Sequence, residues 1–232
     1  MESRHAHGLD PIVSAAWVAA HLDDLIVCDV RAYLDERNGR DAYDAGHLPG
    51  ARFLDLETEL SDIGDPTRGR HPLPAPQRFA EVLGAHGIAA SATVVAYDDA
   101  GGAFASRLVW MLRVLGQPAA ILDGGVDAWP GELTAEVAPV DVVEVAPRPW
   151  PVDAVMNADD VTEHVERGGV LVDSRGAARY RGEIEAIDPL AGHIPGAINL
   201  PFAENLVEGR FADPDALRDR FETAGISEAA VF

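Results

Sequence analysis

The sequence predicts an α/β protein made of two similar units, each with a mostly parallel sheet flanked by helices. Apolar stretches of strand length alternate with amphipathic stretches of helical length, which is typical of parallel sheets covered on both faces. Two motifs also recur in the same order. "LIVCDVR" (25–31) returns as "VLVDSR" (170–175), and "GHLPGA" (46–51) returns as "GHIPGA" (192–197). The separation is 144 residues between the motif aspartates and 146 between the first motif glycines. A period this long indicates a duplicated domain rather than a solenoid.

The elements of the first unit follow from local patterns. The β-branched stretch "LIVCDVR" predicts a buried strand, and "ARFLDL" after the Gly-His turn predicts a short one. "PQRFAEVLGAHGI" predicts a helix, because Phe79, Val82 and Leu83 lie at helical spacing ahead of terminal glycines. After it we expect a strand at "TVVAYDD", a Gly-rich turn at "AGGA", a helix at "FASRLVWMLRVLG", a strand at "AAILDGG" and a last helix opening at "VDAW".

The second unit repeats the first part of this course. "VLVDSR" and "AINLPF" predict strands, and "PDALRDRFETAGI" predicts the equivalent helix. The expected domains are 1–130 and 153–232, joined by a Pro- and Val-rich extended linker, 131–152, laid along the surface. The final "GISEAAVF" (225–232) matches a turn and the start of a strand. We therefore expect the second unit to be incomplete.

Composition excludes several classes of function. The 39 acidic and 18 basic residues, all of the latter arginine, give a net charge of -21. Without a basic face we expect no nucleic-acid partner. No apolar run of about 18 residues occurs, so no membrane span is expected. The single cysteine, Cys28, excludes an internal disulfide framework and favours a cytoplasmic location. Because Cys28 lies inside an apolar strand, we expect a buried hydrophobic residue rather than a nucleophile.

Seven stretches together carry a resemblance to a known family. They are "DVR…AYDAGHLPGARFLDL", "HPLPAPQRFAEVLGAHGI", "VVAYDDAGG", "WMLRVLG", "LDGGVDAW", "VDSRGAARYRGE" and "GHIPGAINLPF". In this order the chain resembles the two-domain rhodanese-type sulfurtransferases, which include thiosulfate and 3-mercaptopyruvate sulfurtransferases. The resemblance implies tandem rhodanese-like domains, the first of them inactive. It places the catalytic cysteine, in a Cys-x-Gly-x-Gly loop, just past Phe232, and Asp98 fits the position where the inactive domain carries aspartate.

The implied reaction moves a sulfane sulfur from thiosulfate or 3-mercaptopyruvate to cyanide or a thiol, through a cysteine persulfide. Backbone N–H groups and a helix N-terminus lower the thiol pKa in such a loop without a metal. We therefore expect no cofactor, and no metal-ligand spacing is visible. The expected partners are the small anionic donor and its acceptor, and the protein is expected to be a monomer or weak dimer. These 232 residues alone are expected to be inactive.

Two arginines are candidates for binding the donor. Arg179 matches the family arginine that contacts the anionic donor, and a guanidinium suits such a group; the alternative is a surface salt bridge with Glu183 or Glu185. Arg175 accompanies it as a substrate-binding candidate, although Arg31 holds the same place in the first unit, which favours a structural role. Mercaptopyruvate enzymes often carry a further arginine nine residues on. "EIEAIDPL" has none, which favours thiosulfate.

The catalytic candidates outside the missing loop are a histidine and its acidic partner. His71, in "GRHPLP", matches a family histidine that faces the active site; the alternative is an ordinary loop-surface histidine. Asp55 or Glu57, in "FLDLE", would support proton transfer by His71. His47 and His193 hold the same position in the two copies of the Gly-His motif, so we expect them to stabilise the fold.

Two other functions stay open on the sequence. The chain could be a catalytically inactive rhodanese-like module that binds or regulates a partner. It could also be a phosphatase of the same fold family, which needs a longer loop ending in arginine to hold phosphate. The residues after Phe232 distinguish the three: Cys-x-Gly-x-Gly, no cysteine, or a longer Cys-to-Arg loop.

Overall fold

The computed structural model describes residues 8–64 and 68–226. The chain divides into two compact units, Met1–Pro151 and Val152–Phe232. The strand expected to begin at the end of the sequence falls within 227–232, outside the described residues.

The first unit contains a five-stranded, entirely parallel sheet. Its strands lie in the order β1-β5-β4-β2-β3. They are β1 (Ile12–Val13), β2 (Ile26–Asp29), β3 (Arg52–Phe53), β4 (Val94–Tyr97) and β5 (Ala119–Leu122). The α-helices in its described residues are α1 (Ala15–Ala20), α2 (Gly39–Ala45), α3 (Pro76–Ala85) and α4 (Ala105–Val114). The prediction of a helix opening at "VDAW" is wrong. The chain forms a single 3-10 turn, Gly125–Ala128, and goes no further because Trp129 returns to extended backbone.

Helices cover both faces of this sheet. Every residue of β4 and β5 is buried, and successive strand residues point to opposite faces. One face forms a core with α1 and α2, and α4 packs against β4 and β5. The members of that core are Val13, Ala15, Val18, Val27, Tyr43, Leu48, Ala51, Val95, Tyr97, Ala120 and Leu122. The predicted α/β fold with a parallel sheet flanked by helices is confirmed.

Asp98, directly after β4, organises the turn into α4. Its side chain is fully buried and accepts four backbone N–H groups. Oδ1 accepts from Ala100 (2.9 Å) and Gly102 (2.8 Å), and Oδ2 accepts from Phe104 (2.8 Å) and Ala105 (2.9 Å). The carboxylate thus satisfies N–H groups at the start of a helix, where no intrahelical partner exists.

Residues 131–150 cross the first unit without forming a helix or a named strand. Gly84, inside α3, has no side chain, so the segment can approach that helix closely. A Cβ atom at Gly84 would lie 2.5 Å from the carbonyl oxygen of Val143, so a larger residue would push the segment away. The hydrogen bonds that fasten the segment join Thr134 with His47, Val143 with Gly84, Arg148 with Leu115 and Trp150 with Pro74.

The second unit has shorter elements. Its parallel pair is β6 (Val172–Asp173) with β7 (Ile198–Asn199), and its hairpin is β8 (Leu206–Val207) with β9 (Arg210–Phe211). Its helices are α5 (Ala158–Glu166), α6 (Ala177–Tyr180) and α7 (Pro214–Thr223). Among its described residues the buried ones are Ala197 and Pro201, while Leu190 is 83% exposed. In the part of the chain that the structure describes, no helix has the length and apolar character to cross a bilayer.

We expect Asp98→Ala to destabilise the first unit by about 3 kcal/mol or more, because four N–H groups lose their acceptor in a buried site. Urea unfolding followed by tryptophan fluorescence measures this, since all four tryptophans lie before residue 152. The matched control is Asp99→Ala. Its exposed side chain accepts one hydrogen bond, from Tyr33, so the expected loss stays within about 1 kcal/mol. Equal losses in the two variants would contradict the role given to Asp98.

Candidate active site

An aspartate and an arginine form the same corner at the end of β2 and of β6. In the first unit Arg31 Nε and Nη2 donate to Asp29 (2.6–3.1 Å), and Nη2 also donates to the Gly46 carbonyl (2.7 Å). In the second unit Arg175 Nε and Nη2 donate to Asp173, at 2.5–3.1 Å. Its Nη2 also reaches the carbonyl of Gly192, the counterpart of Gly46, at 2.7 Å. The repeated "DxR" sequence therefore fixes the repeated Gly-His turn.

A tyrosine and a histidine stack beside each corner. The ring centroids are 3.8 Å apart for Tyr43 and His47 and 3.7 Å apart for Tyr180 and His193. In both pairs the histidine Nδ1 donates to the tyrosine carbonyl oxygen, at 2.8 Å and 2.7 Å. Each tyrosine hydroxyl donates to the carbonyl of the motif alanine, Ala51 or Ala197, at 2.8 Å and 2.7 Å. These contacts hold the turn in place, which fits the structural role expected for the two histidines.

The two copies differ just before and after the stacked tyrosine. Arg179 precedes Tyr180, whereas Ala42 precedes Tyr43. Between the tyrosine and the histidine the first copy has three residues and the second has twelve. This longer loop supplies two acidic side chains to Arg179: Glu185 accepts from Nε and Nη2 (2.9–3.3 Å), and Asp188 accepts from Nη2 (2.8 Å).

Glu185 is the anchor of this loop. Both of its oxygens bind Arg179, and Oε1 also accepts the backbone N–H groups of Ile187 and Asp188 (2.9 Å each). These backbone hydrogen bonds, together with Arg179, lower the pKa of Glu185 to about 2. Of the two salt bridges weighed from sequence, the one with Glu185 forms, while Glu183 pairs with Arg181 instead.

The guanidinium of Arg179 retains an open edge. Its Nε and Nη2 bind the two carboxylates, whereas Nη1 makes no hydrogen bond to any described residue. The side chain is 26% exposed, so part of it is accessible from solvent. Arg175 has less freedom, because Asp173 and the Gly192 carbonyl hold its guanidinium.

A surface cavity of about 640 Å³ opens at the end of β6. Its polar lining includes Asp173, Arg175, Asp188 and His193, and Leu190 and Ile194 supply part of its apolar wall. The cavity therefore places Arg175 and the acidic partner of Arg179 on one surface. Among the residues that the structure describes, no group of three or more His, Cys, Asp or Glu side chains is arranged to hold a metal.

His71 lies in a loop of the first unit among charged neighbours. Burial lowers its pKa, Arg107 and Arg70 lower it further, and Glu57 opposes them. The imidazole is therefore neutral at neutral pH. Arg107, on α4, donates to the carbonyl oxygens of Leu60 (2.9 and 3.0 Å) and Pro72 (3.2 Å), which fixes both ends of the loop.

The two acidic candidates beside His71 occupy different settings. Asp55 Oδ1 accepts the backbone N–H groups of Glu57 (3.0 Å) and Thr58 (2.7 Å) and the Thr58 hydroxyl (2.9 Å). Its carboxylate thus forms a turn. Glu57 is exposed and acts on His71 through its charge. Within the described chain neither carboxylate is hydrogen-bonded to His71.

Cys28 is fully buried in β2. Loss of solvation raises the pKa of its thiol to about 12, although Arg52 acts in the opposite direction. A thiol with this pKa carries almost no thiolate at neutral pH.

Sequence reasoning missed some of this arrangement. Asp188 was not recognised as a partner of Arg179, because the two residues meet only when the inserted loop folds back. A signal existed in the extra length between the Tyr and Gly-His motifs of the second copy. The role of Arg107 had no local signal, since its partners are backbone carbonyls.

Comparison with known proteins identifies relatives of this chain. The rhodanese-like domain family matches residues 14–132. A relative from Pseudomonas aeruginosa named "Probable 3-mercaptopyruvate sulfurtransferase" is 40% identical over 220 residues, covering 90% of this chain and 78% of that protein. SseB of Mycobacterium tuberculosis, whose name refers to a thiosulfate sulfurtransferase, is 37% identical over 232 residues, covering 93% and 79%.

The fold agrees as well. The crystal structure of SseA from Escherichia coli, described as a 3-mercaptopyruvate sulfotransferase of rhodanese fold, superposes with a TM-score of 0.83 at 32% identity. The match covers 94% of this chain and 84% of that one. With a family match over the first unit and relatives that align along both units, the chain belongs to the rhodanese family of sulfurtransferases.

Proposed function

We propose that this protein takes part in moving a sulfane sulfur from thiosulfate to cyanide or a thiol, with 3-mercaptopyruvate as the other donor. The observation that carries the proposal is Arg179. It stands in the second copy of a repeated corner, where the first copy has Ala42, and Nη1 is open to an anion. We regard the units as tandem rhodanese-like domains, of which the second binds the donor.

The proposed chemistry runs through a cysteine persulfide. A thiolate attacks the outer sulfur of thiosulfate, the sulfur–sulfur bond breaks, and sulfite leaves with the electron pair. The acceptor then removes the bound sulfur. Cys28 does not serve as this thiolate, because its thiol is buried and protonated. We therefore propose that the nucleophile is not among these 232 residues and that they alone are inactive.

The environment of Arg179 favours thiosulfate over a keto-acid donor. Asp188, nine residues on, already binds Nη2, and no second arginine stands there. Arg175 is bound to Asp173, and its Nη1 lies 3.7 Å from Glu185, so its guanidinium is already paired. A site with one open guanidinium edge suits a compact dianion better than a donor that also carries a carboxylate.

His71 is the proposed general base that takes the proton from a sulfur-accepting thiol, since its imidazole is neutral at neutral pH. Glu57 is the better candidate for its acidic partner, because its carboxylate is exposed and near enough to influence the imidazole. Asp55 supports this pair by holding the turn that carries Glu57.

Thiosulfate binding tests the role of Arg179. We expect thiosulfate to cause saturable shifts of the Arg179 Nε–H signal in NMR spectra of the 232-residue protein. Arg179→Gln is expected to bind thiosulfate at least about tenfold more weakly, because charge-assisted hydrogen bonds are lost. Arg181→Gln is the control, since Arg181 is exposed and paired with Glu183. Unchanged binding by Arg179→Gln would refute the proposed donor site.

A second experiment tests Cys28. After incubation with thiosulfate, intact-mass spectrometry is expected to show no added sulfur, and iodoacetamide is expected to label Cys28 only after unfolding. The labelled, urea-unfolded protein is the control. Uptake of one sulfur atom by the native protein, lost in Cys28→Ala, would reverse the assignment.

A third experiment follows the imidazole of His71 by NMR. We expect its pKa to lie below the ordinary 6.5 and to rise in Arg107→Gln, because a positive neighbour is removed. Since the folded pKa is lowered, protonating His71 costs stability, and acidification from 6.5 through the folded pKa favours unfolding. Arg113→Gln is the control, because Arg113, also on α4, donates to the carbonyls of Leu9 and Ala119 rather than to the loop that carries His71. A pKa at or above 6.5 in the unsubstituted protein would contradict the prediction.

A further inference from the structure

A separate crevice lies in the first unit, at the carboxyl ends of β2 and β4. The chain leaves β2 toward β3 on one side and leaves β4 toward β5 on the other. In open α/β sheets, ligands bind in the crevice formed where neighbouring connections diverge in this way. The crevice has a volume of about 370 Å³, and the described residues that line it all belong to these two loops.

The crevice combines aromatic surface with carboxylates. Tyr33, Leu34 and Phe104 supply apolar area, and Asp35 and Asp99 supply negative charge. The Tyr33 hydroxyl donates to Asp99 Oδ2 at 2.6 Å, which ties the loop after β2 to the loop after β4. Burial and this hydrogen bond raise the pKa of Tyr33 to about 12, so the hydroxyl remains a donor at neutral pH.

A cation already lies on this surface. The guanidinium carbon of Arg37 is 4.0 Å from the centre of the Tyr33 ring. Its Nε and Nη2 donate to both oxygens of Asp35, at 2.9–3.1 Å. The side chains of Arg37 and Asp35 are 64% and 55% exposed. Exposed ion pairs and cation–π contacts are individually weak, so an external guanidinium can replace Arg37.

The charges of the crevice favour a cation over an anion as its ligand. Arg37 is the one cationic residue in the described lining, and it faces two carboxylates there. The amide groups of the adjacent loop that would bind an anion are already taken by the buried carboxylate of Asp98. Asp99 Oδ1 makes no hydrogen bond to any described residue, and so offers a further acceptor.

We propose that this crevice binds an arginine side chain presented by a partner protein, which replaces Arg37 over Tyr33 and pairs with Asp35 and Asp99. The net charge of -21 favours a basic partner. Arg37 then acts as an internal occupant that limits the affinity. The proposal is independent of sulfur transfer, because it uses none of the groups assigned to donor binding.

The test uses the full 232-residue chain and a short capped peptide with a single arginine. We expect the peptide to cause saturable NMR shifts confined to residues 32–37 and 99–104, and to bind Arg37→Ala roughly tenfold more tightly than the unsubstituted protein. The matched probe is the same peptide with citrulline, which has the shape of arginine without its charge. It is expected not to bind.

Two variants complete the test. Asp99→Asn in the Arg37→Ala background is expected to weaken binding of the arginine peptide relative to Arg37→Ala alone. Arg167→Ala removes a surface arginine of the second unit and is expected to bind the peptide as the unsubstituted protein does. An otherwise unchanged spectrum of Arg37→Ala shows that the unit is folded. Equal shifts with the citrulline peptide, shifts outside the crevice, or no gain in Arg37→Ala would each overturn the proposal, whatever the outcome with thiosulfate.

Discussion

The buried carboxylate of Asp29 is the interaction on which the first unit depends. It ends β2, binds the guanidinium of Arg31 and accepts the hydroxyl of Tyr97, at 2.8 Å, from β4. The Tyr97 oxygen in turn accepts the N–H of Leu48, at 3.1 Å, and Arg31 binds the Gly46 carbonyl. One charge thus joins two strand ends to the Gly-His turn. Buried charges persist only where each is paired and hydrogen-bonded, and this constraint explains why the motif residues occur as a set.

The second unit repeats the aspartate, the arginine and the Gly-His turn of that set. Asp173 and Arg175 reproduce the corner with nearly the same distances, although both are more exposed than their counterparts. Arg179 is added next to it, with two carboxylates that orient the guanidinium and leave one edge open. The duplicated framework therefore positions the group, and the substitution of one residue and the lengthening of one loop distinguish the copies. The proposed donor-binding group is thus an addition to a scaffold that both units share.

The sequence was informative where patterns were long and local. The apolar runs at β2, β4 and β5 and the periodic stretches at α3 and α4 were sufficient to predict those elements. The two-residue strand β1 and the hairpin β8–β9 were not predicted, whereas the equally short β3, β6 and β7 were, because those three lie in or beside the repeated motifs. Site residues followed the same division. Arg179 is a candidate because it resembles a family motif, but its contact with Asp188 and the four amide hydrogen bonds of Asp98 arise from loop geometry.

Hydrogen bonds to the first unit limit the movement of residues 131–150. An unattached stretch of this length would behave as a flexible coil and would let whatever follows it explore a wide volume. Here Thr134, Val143 and Trp150 are hydrogen-bonded to the body of the first unit, and Gly84 admits the backbone against a helix. The segment therefore has little slack. Extra residues inserted into it would bulge outward between fixed points instead of lengthening a tether.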